Sequence, residues 1–497
     1  MPEESAQSAP PPLPPSPWHK TGDFSDRLSP MLVKELRQGL RTHSFVVLFL
    51  VMQGLLAFIL LTTAAADTNA GEFISALIFF FFSLAALVVQ PLRGISAISS
   101  EVKADTIDLM ALTKLSAWRI VIGKWNAIVS QTALLLFAIV PYLILRYFFG
   151  GMQLFAELLL LGSLFFLSTV FTAITVGLSA STLALVRALP LLGGLFLVFP
   201  IGGIAFSGLD EVLEMLTPSE KHEWFALGAF YAIAAYVGYF FLELATTAIA
   251  PSAENRATRK RLVALVILPT VFISCLQVDW SLAWVLSLLL LLMLTLDLFT
   301  ERADYPSIVL RPFLHFGYPG SLLARFFAPG WATGQLFFAL LVGLLVALDF
   351  FLAKRPPEPD FWPVIGALLG IVLLPLALLN IFHARLPNRM AIYLLLSITL
   401  CGLFPLFEVL DNLNDSGTLL KVFAFFPHVQ LLLVDDFRVF NPLTEGQKLT
   451  LTWASTTCYF LLALFFSRHA LANLSRLERE EREGRNHSAG EVHPPTD

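Results

Sequence analysis

The sequence predicts an all-α polytopic membrane protein with about twelve transmembrane helices. Three observations predict it. The first is composition. Of 497 residues, 57% are hydrophobic and 14% charged, and the mean hydropathy is +0.75. A soluble chain carries about a quarter of its residues as charges. The second is a set of apolar runs that reach the roughly 17–25 residues a spanning helix requires. They are 44–66, 73–90, 126–149, 156–178, 187–206, 225–249, 262–278, 281–299, 334–352, 362–382, 391–409 and 450–467. The third is the sorting of charge. With the N-terminus inside, only Arg146, Lys221, Lys354, Arg355, Lys421, Arg438 and Lys448 fall outside, seven of the 32 Lys and Arg residues. This satisfies the positive-inside rule. Both termini are then cytoplasmic, in a multi-pass protein of the plasma (inner) membrane.

The runs fall in a 6+6 layout. Four regions follow: a tail at 1–28, a first half at 29–250, a second half at 251–467 and a charged tail at 468–497. Residues 1–28 are rich in proline, with Pro10–Pro12, Pro14, Pro15 and Pro17. Such a stretch favours polyproline II and no packing, so a disordered cytoplasmic tail is predicted. It lacks the basic start and apolar core of a signal peptide.

Ser29–Arg41 is predicted to be an amphipathic helix. Ser29 caps it, and Pro30 takes the first helical position, where a missing N–H costs nothing. Leu32, Val33, Leu36 and Leu40 form one stripe, while Lys34, Arg37 and Arg41 lie opposite. The pattern suits a helix lying flat, its stripe in the acyl boundary and its bases among anionic lipid headgroups.

Among the spans, the fourth and fifth are separated only by STLALVR. The fifth holds Gly193, Gly194, Pro200, Gly202 and Gly203. These glycines allow close helix packing or a break. The largest outside loop, 410–449, contains FAFFPHVQLLLVDDF, expected against the membrane face. A basic lead-in, ATRKR at 257–261, precedes the seventh run. The tail LSRLEREEREGR reads as a solvated charged helix with i, i+4 ion pairs. The alternative is a contact through Leu471, Leu474 and Leu477.

Pro91–Trp125 carries the strongest local signal. It lies between two spans, and Arg93, Glu101, Lys103, Asp105, Asp108, Lys114, Arg119 and Lys124 keep it out of hydrocarbon. Asp105 or Thr106 can cap a helix start. Ile107, Met110 and Ala111 then share one helical face. Ser116 can open the next span. A short amphipathic helix held off the membrane by two spans is a docking part.

The pattern ExxxxTxDLxxLTxLSxWRIVxGKW, from Glu101 to Trp125, resembles the coupling segment of ABC-2 type ABC transporter permeases. The matching positions are Glu101, Thr106, Asp108, Leu109, Leu112, Thr113, Leu115, Ser116, Gly123 and Lys124. Ala104 stands where a glycine is common, and Lys114 where a proline is common. The resemblance covers about residues 29–250. It implies an elbow helix at 29–41 and a fifth span that breaks and re-enters. It implies a separate ABC ATPase subunit into whose groove the segment presses, and a transport path built with a second permease chain or from the two halves of this one. The docking residues are then Ile107, Leu109, Met110 and Leu112, with Asp108 and Lys114 at the rim. Glu101, placed before the helix, sets the angle of the segment. Thr300–Thr333 lies at the equivalent place in the second half, but lacks the Glu…Thr-x-Asp-Leu pattern.

Enzyme chemistry is poorly represented. No GxxxxGK[ST] loop exists to cradle ATP phosphates, so ATP and Mg are expected on the partner subunit and no cofactor on this chain. No HExxH, CxxC or EF-hand pattern occurs. GLSAS at 177–181 sits at a helix end, which is wrong for a nucleophile elbow. Cys275, Cys401 and Cys458 read as small apolar residues. No nucleic-acid partner is expected. Acids in spans are expensive. Glu243 lies well inside the sixth span, either as an ion-paired structural acid or as an intramembrane polar site on a substrate path. Glu157, Asp297, Asp349 and Glu408, nearer span ends, read as solvated at the interface. Two alternatives to transport remain: a non-transporting scaffold, or a glycosyltransferase acting through Asp67 and Asp435-Asp436.

The topology makes a direct prediction. Reporter fusions after Glu72, Trp224 and Leu420 should read external, and fusions after Ala111 and Asn255 internal. An internal signal at Trp224 would overturn the fourth and fifth spans.

Overall fold

The computed structural model describes residues 30–66, 71–103, 116–148, 154–181, 184–353, 361–382, 388–413, 423–434 and 444–490. Among these residues every regular element is a helix. The main ones are α1 (Pro30–Leu40), α2 (His43–Ala66), α3 (Gly71–Ser83), α4 (Ala117–Tyr147), α5 (Leu154–Ser179), α6 (Ala184–Ser207), α7 (Leu209–Leu216) and α8 (Lys221–Ile249). Then come α9 (Ala257–Leu276), α10 (Trp280–Leu298), α11 (Gly317–Phe327), α12 (Trp331–Leu352), α13 (Phe361–Phe382), α14 (Arg389–Gly402), α15 (Phe404–Leu413), α16 (Pro427–Val434) and α17 (Glu445–Gly490).

Eleven of the described helical stretches are long and apolar enough to cross a membrane, which makes this an integral multi-pass protein. Of the twelve expected runs, the one at 262–278 is not among these eleven. It forms part of α9, whose first turn, ATRKR, is charged. The second span does not end as an ordinary helix. After α3 it widens into a π-helical stretch, Leu84–Val89, and tightens to 3₁₀ at Arg93–Ser96 before the short helix Ser99–Lys103. The fifth span is also corrected. α6 runs unbroken through Pro190 and Pro200, with no re-entrant turn. Neighbouring helices make such prolines tolerable in a span. Gly194 serves packing, since a Cβ there would sit 3.1 Å from Val88.

Two apolar cores hold the bundle. One gathers Leu56, Phe79, Phe82, Leu160 and Ile201 from the first helices. The other surrounds Trp284, Phe272, Phe299 and Phe337, and reaches back to Tyr236 and Phe240 on α8. So α8 belongs to both ends of the chain. Its contact with α5 needs a glycine: a Cβ on Gly177 would lie 2.6 Å from the Phe241 carbonyl oxygen. Gly334 does the same for α10 and α12, where a Cβ would overlap the Leu298 carbonyl oxygen. Close backbone approach of this kind is how helices gain contact where lipid offers no hydrophobic drive.

The solvated-tail reading is corrected over 474–481. α17 continues well beyond its apolar part. Leu474 is buried against Leu310, Leu314, Ala324 and Ala328. The hydroxyls of Ser307 and Ser321 donate to Glu481 at 3.1 Å and Glu478 at 2.8 Å. The 300–333 connection is therefore braced by the end of the chain. The FAFFPHVQLLLV stretch contains α16, whose Val429, Leu432 and Leu433 are buried among Phe404, Phe407, Phe423 and Leu451. It packs on protein, with the Gln430 amide donating to Ser455 at 2.8 Å.

Candidate functional site

Thr106, Ile107, Asp108, Leu109, Met110, Leu112 and Thr113 lie outside the described residues. The two shoulders of their segment are described, and a lysine joins them. Lys124 on α4 donates to Glu101 at 3.0 Å and to Glu35 on α1 at 3.0 Å, and its side chain is 5% exposed. Lys34 approaches Glu101 at 3.9 Å. Two carboxylates and two ammonium groups thus meet where α1, the 99–103 helix and α4 converge.

Local sequence explains the meeting. Gly123 lets α1 lie directly on α4, since a Cβ there would reach Met31 at 2.8 Å. Met31 and Leu36 are buried on that contact, while Leu32, Val33 and Leu40 are half-buried. The stripe is thus divided between protein and surroundings, which a wheel of α1 alone does not reveal. Lys34, Arg37 and Arg41 are exposed. The far end of α1 is held by Arg93, which donates to the Gly39 carbonyl at 3.3 Å and the Thr42 hydroxyl at 2.7 Å, and to Gln131. A cation at a helix C-terminus also complements its dipole. Glu35 and Gln131 were missed from the sequence. The available signal for Glu35 is its place as the single acid on a basic helix.

A second charged cluster is buried between α8, α9 and α10. Glu243 is fully buried and ion-paired, the first of its two readings. Arg256 reaches it at 3.1 Å and Arg259 at 3.4 Å, and the Tyr239 hydroxyl donates at 3.3 Å. Next to it, Lys260 meets Asp297 at 2.7 Å and Glu301 at 3.4 Å. Arg261, 1% exposed, bonds Glu301 at 2.7 Å and the carbonyls of Phe326, Ala328 and Gly330. Burial pushes the Glu301 carboxyl up, but Lys260, Arg261 and the Gly330 N–H together draw it below the usual carboxylate range. Within the ATRKR lead-in Ala257, Lys260 and Arg261 are therefore interior, while Arg259 is exposed.

The solvated readings of three acids are corrected for the same reason. Glu157, Asp297 and Asp349 are all buried. Glu157 accepts from Ser75 at 3.4 Å, and Asp349 from the indoles of Trp280 and Trp284 at 2.7 and 3.2 Å. A carboxylate in apolar surroundings needs donors from neighbouring helices. Glu408 lies outside the residues whose side chains are described.

The two clusters are linked. Arg259 lies over the Trp118 ring at 5.8 Å and over Tyr239 at 5.9 Å, so the start of α4 touches the cation that serves Glu243. Among the described residues no group of His, Cys, Asp and Glu could hold a metal ion. The three cysteines are free thiols.

Removing one member of a buried pair strands the other, at about 3–5 kcal/mol. Glu243→Ala should therefore lower the melting midpoint of the purified chain strongly. Glu243→Leu combined with Arg256→Met should recover most of the loss, because no buried charge is then stranded. An unchanged midpoint in Glu243→Ala would show that the acid is not structural.

Comparisons of the chain with protein-family models, curated proteins and solved structures find no match.

Proposed function

We propose that this chain is the transmembrane permease subunit of an ATP-driven ABC transporter of the ABC-2 type. In this reading a separate ATPase subunit binds ATP and Mg, and docks on residues 104–115. Both termini are cytoplasmic, in the plasma (inner) membrane. The transport path is made by two chains or by two six-span halves. The observation that carries the reading is the Lys124 clamp. It draws together the two shoulders of the segment whose residues resemble the coupling pattern, and ties both to α1, the elbow helix. A segment held at its base moves as a unit when its tip is pushed. The push has a route into the bundle, from Trp118 through Arg259 to Glu243. Glu101 acts at the base and sets the angle. Ile107, Leu109, Met110 and Leu112 form the docking tip, with Asp108 and Lys114 at its rim.

A large apolar side chain buried in a partner groove contributes about 1.5–3 kcal/mol. An acid in its place would be buried unpaired. Ile107→Asp and Met110→Asp should each sharply reduce the ATPase that copurifies in mild detergent, with membrane insertion and abundance unchanged. Normal copurification with both variants, together with intact ATP hydrolysis, would leave this stretch as a simple connection.

A further inference from the structure

We infer that a cleft at the meeting of α8, α10 and α14 binds a phosphate-class anion, with Arg389 as its cation. The inference does not depend on the permease reading. The cleft has a volume of about 220 Å³ and is bordered by the ends of α5 and α8, the 251–257 and 300–305 connections, and the start of α14. Drug-sized sites run to roughly 300–1,000 Å³. This one suits a small ion or a single headgroup.

Charge accounting singles out Arg389. Around the cleft, Glu243, Glu254, Asp297 and Glu301 are matched by Arg256, Arg259, Lys260 and Arg261. Arg302 and Asp304 also line it, both exposed and of opposite sign. Arg389 is left over. It is 7% exposed and lines the cleft. Its Cζ lies 3.9 Å from the centre of the Trp331 ring, and Nη2 donates to Asn380 at 2.7 Å. Nε and Nη1 are covered and have no hydrogen-bond partner. A buried guanidinium with two idle donor nitrogens and no carboxylate among its described partners is costly. The face of a tryptophan offsets only part of that cost. An anion supplied from outside completes the site, and a rotamer change of the long side chain brings the idle nitrogens to it.

The start of α14 points to the same ligand. Asn388 is its N-cap residue, and its side chain makes no capping hydrogen bond. The first amides of a helix have no intrahelical acceptor, and the helix dipole there favours negative charge. Asn388, Arg389 and Met390 all border the cleft. The chemistry is that of a phosphate, which either a lipid headgroup or a free phosphate ion can provide.

The test uses the full-length chain in neutral detergent, with unfolding midpoints followed against two probes. One is inorganic phosphate. The other is phosphatidylglycerol in mixed micelles, with diacylglycerol as the phosphate-free control and zwitterionic phosphatidylcholine as the control of zero net charge. A ligand that binds only the folded state raises the midpoint saturably. At least one probe should do so. Arg389→Gln should weaken that probe about tenfold or more, the loss of one charge-assisted contact. Arg389→Lys should recover most of the binding, and Arg468→Gln, at an exposed position, should change nothing. A response to phosphatidylglycerol alone identifies a headgroup site, and a response to phosphate identifies a free-anion site. Should Arg389→Gln fail to fold, hydrogen exchange in the unmodified chain decides. The effective probe should slow exchange at Arg389 and Met390, and unchanged exchange there overturns the proposal. So does the lack of a saturable response to either probe, or an Arg389→Gln variant that binds as well as the unmodified chain.

Discussion

A lysine ammonium with 5% of its side chain exposed cannot be satisfied by water, and at Lys124 two carboxylates from different elements do that work. Glu35 comes from α1 and Glu101 from the helix that follows the second span. The arrangement fixes three elements at one point. α1 cannot leave α4 without stranding the ammonium, and neither shoulder of the 104–115 segment can swing without breaking a charged contact. Single exposed ion pairs contribute little. A mostly buried cation shared by two acids is another matter, because loss of either acid leaves charge in a poorly solvated place. Arg93 completes the frame by holding the other end of α1 through Gly39 and Thr42.

The same rule organises the second charged cluster, and it connects the parts of the chain. Glu243 on α8, Asp297 on α10 and Glu301 just beyond α10 draw in Arg256, Arg259, Lys260 and Arg261. Arg261 spends its remaining donors on the carbonyls of the 326–330 turn, where Gly330 has φ +120°. Thus α9 is pinned by its first turn, which is also why that turn does not extend a span. Arg259, shared between Glu243 and Trp118, is the point where the two clusters meet. Trp118 on α4 is thus one contact removed from the buried Glu243.

Much of this was legible in the sequence. Pro30 announces the start of α1, apolar runs announce the spans, and α6 opens within STLALVR, at Ala184. Glu243 is conspicuous as an acid deep inside an apolar run. What escaped reading depends on partners distant in sequence. ATRKR reads only as a basic lead-in to a span. The burial of Lys260 and Arg261 follows from Asp297 and Glu301, 37 and 40 residues away respectively. Likewise Lys124 looks like one more base of a charged connection until Glu35, 89 residues away, is brought to it. The docking of Leu474 on the 300–333 connection joins positions that no local pattern relates. The fifth span misled in the opposite sense. Its prolines and glycines suggest a break when the helix is taken alone, but its neighbours keep it whole.

In the proposed permease the Glu101–Lys124 contact transmits force between a docked ATPase and the bundle, and docking itself is left to the tip. The most direct measurement is ATP hydrolysis by the copurified complex in lipid nanodiscs, alongside the amount of ATPase retained, for the unmodified chain and Glu101→Ala. Under this proposal Glu101→Ala retains its ATPase and loses about tenfold in coupled hydrolysis, the scale of one charge-assisted contact. Hydrolysis that is unchanged, or that falls only in proportion to lost ATPase, would contradict it, as would an unmodified chain that retains no ATPase.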